Sequence, residues 1–235
     1  MRQTMRVTPP QHTICPLVYR LQDAAWNYAH SGWRVLPLYG LNADGTCACG
    51  QVQCPAAGQH SWLGTGVRLA TTDLGTIQRW WEQAEQANVG VATGDGLLVI
   101  EVDPLEGGFL EHFRQLYAIP ETAMIQTERG SWQLYFTYNR ALTLCTTKNK
   151  LGLGIRTYAE DSYVVAPPSV LSHGRVNWIN TYIPARLPAV LLPFVLSPQL
   201  NRPAWSIQEQ RPSPAARELA SLLLNKVLES ETERN

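Results

Sequence analysis

Apolar positions recur along the chain with two different periods, and the alternation between the two lays out the elements. Leu17, Leu21, Ala24, Ala25 and Tyr28 keep the three-and-four spacing of one helix face, which predicts a helix ending near Gly32. "WRVLPLY" (33–39) reads as a strand. Asp73 stands where an N-cap belongs, and Ile77, Trp80, Trp81 and Ala84 form the apolar face of a second helix. "NVGVAT" (88–93) and "LLVIEV" (97–102) lie on either side of "GDG", a pattern that predicts a paired hairpin. Beyond Gly107 and Gly108, Phe109, Leu110, Phe113 and Leu116 predict a third helix. "TAMIQTE" and "WQLYFTY" predict two strands joined by a turn at Arg129 and Gly130. "YVVAPPS" predicts a further strand, stopped by two prolines that cannot donate to a ladder.

These elements predict a mixed α+β domain over 16–198, with a Cys-rich insertion at 45–62 and a flexible arm over 1–15. Residues 199–212 read as a linker. Ser213 and Pro214 then form an N-cap and N1 pair ahead of an amphipathic C-terminal helix (213–230) bearing Leu219, Leu222, Leu223 and Val227.

Charge narrows the classes. Lys plus Arg equals Asp plus Glu at 19 each in 235 residues, so the chain lacks the basic excess of a strong nonspecific nucleic-acid binder. No run of 18 apolar residues predicts a membrane span, and the N-terminus lacks the apolar centre of a signal peptide. The expected location is cytoplasmic.

Two groups of residues carry candidate chemistry. The apolar run Leu97–Ile100 leads directly into Glu101 and Asp103, and residues two apart on a strand share a face. Two carboxylates projecting together are best tolerated around a divalent cation, Mg2+ or Mn2+. The bland alternative is a strand end with two solvated acids. The second group is Cys47, Cys49, Cys54 and His60, spaced C-x-C-x4-C-x5-H. Three thiolates and an imidazole in a short loop suit tetrahedral Zn2+, against a plain loop of free cysteines. Cys15 and Cys145 stand alone and read as ordinary thiols.

Six stretches occur in one order: "AAWNYAHSGWRVLPLY", "CACGQVQCPAAGQH", "ATTDLGTIQRWW", "ANVGVATGDGLLVIEVD", "TERGSWQLYF" and "YVVAPPSVLSHG". Together, over roughly residues 20–180, the chain resembles the N-terminal primase–polymerase (prim-pol) domain of plasmid, phage and mobile-element replication proteins, within the archaeo-eukaryotic primase superfamily. The resemblance implies a primase–polymerase fold: two mixed α/β units around a catalytic cleft, with a catalytic sheet related to the RNA-recognition motif. It further implies template-directed nucleotidyl transfer with divalent metal, and a similar Cys-rich insertion ending in a histidine. On the matching motifs, Glu101 and Asp103 take the metal-binding acidic pair, and Gln133 takes the place of the histidine that seats the triphosphate. Arg129, Ser131, Arg156 and Ser169 are the candidate nucleotide contacts.

The chain departs from the family pattern at four places. Glu101 is one methylene longer than the usual aspartate, and Gln133 cannot carry charge. The third carboxylate, two residues before Arg156, is replaced by Gly154; Glu160 and Asp161 are the nearby acids that could substitute. Leu171 stands at a second histidine place, with His173 two positions on. Two functions therefore stay open. One is a primase or polymerase of DNA replication acting on nucleotides and a single-stranded DNA template. The other is a non-catalytic nucleotide- or DNA-binding replication accessory on the same fold. The C-terminal helix is a candidate contact for a separate helicase or replication protein.

Overall fold

The computed structural model describes residues 20–64, 66–127 and 129–197. The arm, the linker and the C-terminal helix expected from the sequence lie outside them, as does Leu17. The described part carries α1 (Leu21–His30), β1 (Val35–Leu38), α2 (Leu74–Gln83), β2 (Asn88–Ala92), β3 (Leu97–Val102) and α3 (Leu110–Leu116). Then follow β4 (Met124–Gln126), β5 (Trp132–Thr137), β6 (Thr147–Lys148), β7 (Ile155–Tyr158) and β8 (Tyr163–Ala166). Short pieces close the list: β9 (Val170–Leu171), β10 (Gly174–Arg175), β11 (Asn177–Trp178), β12 (Ala185–Arg186) and α4 (Leu192–Val195).

Local chemistry starts these elements where expected. The Asp73 carboxylate accepts the Thr76 N–H at 2.8 Å and caps α2. Phe109, expected as part of the apolar face of α3, instead precedes the helix and is exposed, while Phe113 is buried.

The strands form two main sheets. The smaller runs β1-β2-β8 and the larger β11-β4-β5-β3-β7-β6, with β12 alongside β5. The expected hairpin of β2 with β3 does not form. The turn itself closes, with mutual bonds between Gly94 and Leu97, but it is the only rung. The chain then passes from one sheet to the other: β2 pairs with β1 and β8, and β3 with β5 and β7. Both strands are buried, so each needs neighbours on both edges, and a single shared turn does not decide which.

Alternation along β3 divides the core. Leu98, Ile100 and Val102 face an apolar cluster with Phe113, Leu134, Phe136 and Leu191. Leu97 and Val99 face a second cluster that packs α1, α2 and the smaller sheet against the larger one through Tyr28, Trp81, Val91 and Tyr135. Trp80 and Trp81 both serve this packing, as the helical spacing implies. Glu101 continues the Leu97–Val99 face, Gln133 the Tyr135 face of β5, and Arg156 the Tyr158 face of β7. The apolar filling between the sheets thus gives way to polar side chains at one end of the larger sheet.

Candidate functional site

At that end lies a cleft of about 500 Å³. Glu101, Asp103, Gln133, Arg129, Ser131 and Arg156 all line it. Strand register explains why residues so distant in sequence meet. Glu101 in β3 lies between Gln133 in β5 and Arg156 in β7, its Cα partners on either side.

The two acids are held differently. Glu101 Oε2 accepts the Tyr158 hydroxyl at 2.5 Å. The Arg156 guanidinium donates to the same hydroxyl at 3.5 Å. Asp103 caps a 3-10 turn over Pro104–Glu106, accepting the Leu105 N–H on Oδ1 at 2.9 Å. Glu101 Oε1 and Asp103 Oδ2 have no protein partner among the described residues, leaving one oxygen of each for a hard cation. Glu106, at the end of the same turn, also lines the cleft but is committed to Lys148 at 3.0 Å and Arg156 at 3.8 Å. The cleft therefore offers a carboxylate pair, with a third acid beside it bound to cations. Lys148 and Lys150, close to Arg156 in sequence, do not line the cleft.

Gln133 is 9% exposed, and its Oε1 is buried without a hydrogen-bond partner. Leaving such an acceptor unpaired costs about 1–3 kcal/mol, which a ligand donor in the cleft would recover. Ser169 is a correction to the sequence reading. It is fully buried outside the cleft, its hydroxyl accepting the Val89 N–H at 2.9 Å and donating to the Val89 carbonyl at 3.3 Å. It ties the chain after the double proline to β2 and has no reach to a phosphate.

Position 154, two residues before Arg156, has no room for a side chain. Gly154 has φ +68, and a Cβ there would meet the Gly108 nitrogen at 2.3 Å and the Asp103 carbonyl oxygen at 2.7 Å. The Gly154 carbonyl accepts the Asp103 N–H at 2.8 Å, so the bare backbone at 154 is part of what shapes the acidic turn. Neither Glu160 nor Asp161 lines the cleft. Glu160 accepts the Tyr138 hydroxyl at 2.7 Å, beside Gly94. On the other wall, Leu171 lines the cleft together with His173, which sits between β9 and β10, and with Arg175. His173 is thus carried into the cleft wall by the turn between β9 and β10.

Cys47, Cys49, Cys54 and His60 place one ligand atom each within 4.8 Å of one another, the one such group among the described residues. His60 Nε2 lies 3.3 Å from Cys47 Sγ and 3.4 Å from Cys54 Sγ. Burial pushes the Cys47 thiol up, but the N–H groups of Cys49 and Gly58, the His60 ring and the Cys49 thiol outweigh it and bring it to about 6. A donor set of three sulfurs and one nitrogen with an acidified thiol fits a soft-to-borderline tetrahedral ion. Cys145 lies apart from this group.

Sequence reasoning missed Gln59, Glu106, Tyr158 and Arg175 as cleft residues. Only Glu106 carried a readable signal. It falls three residues after Asp103, and in a 3-10 turn residues three apart eclipse.

The family described as bifunctional DNA primase/polymerase, N-terminal, matches residues 25–190. No curated protein sequence matches the chain.

Proposed function

Because this chain belongs to the bifunctional DNA primase/polymerase N-terminal family, a family that binds nucleotides and DNA and generally uses divalent metal, we propose that its cleft binds a nucleoside triphosphate with one divalent ion and, directed by a single-stranded template, transfers the nucleotidyl group to the 3′-hydroxyl of a paired nucleotide or strand, with pyrophosphate leaving. The observation that carries this is the convergence of Glu101, Asp103, Gln133, Arg129, Ser131 and Arg156 on one cleft from three separate segments of the chain.

Glu101 and Asp103 would hold Mg2+ or Mn2+ through their uncommitted oxygens. When bound, the ion lowers the pKa of the attacking hydroxyl and offsets charge on the reacting phosphate. Gln133 Oε1 accepts a donor from the nucleotide. Arg129, His173 and Arg175 supply the charge and hydrogen-bond donors for the triphosphate that Gln133 cannot. Arg156, between Glu101 and Glu106, keeps the carboxylates from repelling one another before the ion arrives. With a pair of acids in place of three, a second ion binds poorly, so transfer is slow. The Cys47–Cys49–Cys54–His60 centre holds Zn2+ as a closed structural site.

The second reading is a binding module for nucleotide or DNA with no turnover, favoured by Gly154, where no acid can stand. Template-dependent nucleotide incorporation, measured with Mg2+ and Mn2+ separately beside an Asp103→Ala control, tests the two. Incorporation lost in the control supports transfer by the pair. No incorporation with either metal, while nucleotide or DNA binding persists, replaces transfer with the binding module.

A further inference from the structure

Asn88 joins two pieces of the cleft wall that come from far apart in the chain. It is 1% exposed. Its Nδ2 donates to the Gly58 carbonyl at 2.8 Å and the Val170 carbonyl at 2.7 Å, and its Oδ1 accepts the Val170 N–H at 2.9 Å. Gly58 lies between the ligands Cys54 and His60, in a loop that also sends Ala56 and Gln59 into the cleft. Val170 opens β9, the first strand of the hairpin that carries His173 and Arg175. One buried amide therefore binds the Cys/His loop to the basic wall of the cleft.

Other contacts follow the same line. The Tyr163 hydroxyl donates to the Gln59 carbonyl at 3.2 Å. Gly58 has φ +77, and a Cβ there would touch Leu171 Cδ2 at 3.0 Å and the Asn88 amide nitrogen at 3.1 Å, so the loop lies directly against the hairpin. Yet the loop has little packing of its own. No residue from 48 to 60 belongs to an apolar cluster, and Val52 is 93% exposed. A segment without a core is ordered only where something else closes it, and four converging ligands do that when they share an ion.

We propose that the Cys47–Cys49–Cys54–His60 centre is a structural part of the nucleotide cleft: the bound ion holds the 55–59 loop as one wall and, through Asn88, holds the hairpin that presents His173 and Arg175. Asn88 is a positioning residue, and Gln59 is the loop's own polar group facing the ligand. The proposal takes from the preceding section that the cleft receives a nucleoside triphosphate.

The test uses the full chain, zinc-loaded or stripped with a zinc-selective chelator in the presence of Mg2+. Two quantities are read: amide hydrogen exchange along the chain, and affinity for a fluorescent nucleoside triphosphate. Stripping is expected to speed exchange at 54–60 and 170–176 by about ten-fold while β3 and β5 stay protected, and to weaken nucleotide binding about ten-fold. Asn88→Asp sets a carboxylate against two carbonyls. It is expected to keep its zinc, and to speed exchange at 170–176 with zinc present. The chelator arm needs no variant, so it decides even where Asn88→Asp does not fold. Unchanged exchange at 170–176 after stripping overturns the coupling, whatever the nucleotide does. Lost protection in β3 and β5 as well overturns it too, by showing general unfolding. Faster exchange confined to loop and hairpin, in a loaded protein that binds no nucleotide, upholds the coupling and removes the nucleotide reading instead.

Discussion

The Tyr158 hydroxyl donates to Glu101 Oε2 at 2.5 Å, from the strand next to the one that carries the acid. Burial, and the carboxylate beside it, raise the Tyr158 hydroxyl well above its ordinary value, so it remains a donor at any working pH. The bond fixes one oxygen of Glu101, a residue that lines the cleft. Tyr158→Phe keeps the ring and loses the donor. Mn2+ affinity, followed by electron paramagnetic resonance, should fall about 10–100-fold, the usual range for losing a group that orients a metal ligand. Unchanged affinity would mean that Glu101 needs no orientation or holds no ion.

Placing an acid at 154 should fail. The left-handed backbone alone costs a residue with a side chain about 1–3 kcal/mol, and the Cβ would strike the Gly108 nitrogen and the Asp103 carbonyl. Gly154→Asp is therefore expected to lower stability in urea titration and to weaken divalent-ion binding, because the Asp103 turn must move. A stable variant with stronger ion binding would show that the backbone at 154 can give way.

Gln133→Leu separates stability from binding. The substitution removes a buried acceptor that has no partner, so denaturant stability should hold or rise by about 1 kcal/mol. Nucleoside triphosphate affinity, read by calorimetry, should fall. A variant that loses stability and keeps its nucleotide affinity would make Gln133 a packing residue.

The α2 cap should respond to pH. The hydroxyl and N–H of Thr76 hold the Asp73 carboxyl below its ordinary value. Its folded pKa lies under the unfolded one of about 3.9, so the cap's contribution is complete above that pH and is lost as pH falls through the folded value. Asp73→Ala should melt below the parent protein at neutral pH, and the gap should close in acid. A gap that persists at low pH would assign the effect to packing around Gly75 and Thr76.

Much of the site was legible because its signals are local. An acidic pair two residues apart on a buried strand shares a face in any sheet, whichever strands lie beside it. The Asp73 cap and the tight Cys/His spacing are equally short-range. The family resemblance added Gln133, Arg129, Ser131 and Arg156, and all four line the cleft. Ser169 misled because a hydroxyl after a double proline reads the same whether it faces a ligand or, as here, the Val89 backbone. The "GDG" turn misled in another way, since it closes one rung as a hairpin turn should and then releases its strands into different sheets.

By itself, the sequence determined the principal helices and strands, the face on which Glu101 and Asp103 project, and the tight grouping of Cys47, Cys49, Cys54 and His60. Each of these depends on backbone geometry over a few residues. Tertiary structure alone decided that β2 and β3 part, that Arg156 and Gln133 flank Glu101, that Gly154 leaves no room for an acid, and that Asn88 fastens Gly58 to Val170. Those relations join segments separated by tens of residues. They are settled by which buried faces and polar groups satisfy one another once the chain is packed, and no local preference along the chain encodes that choice.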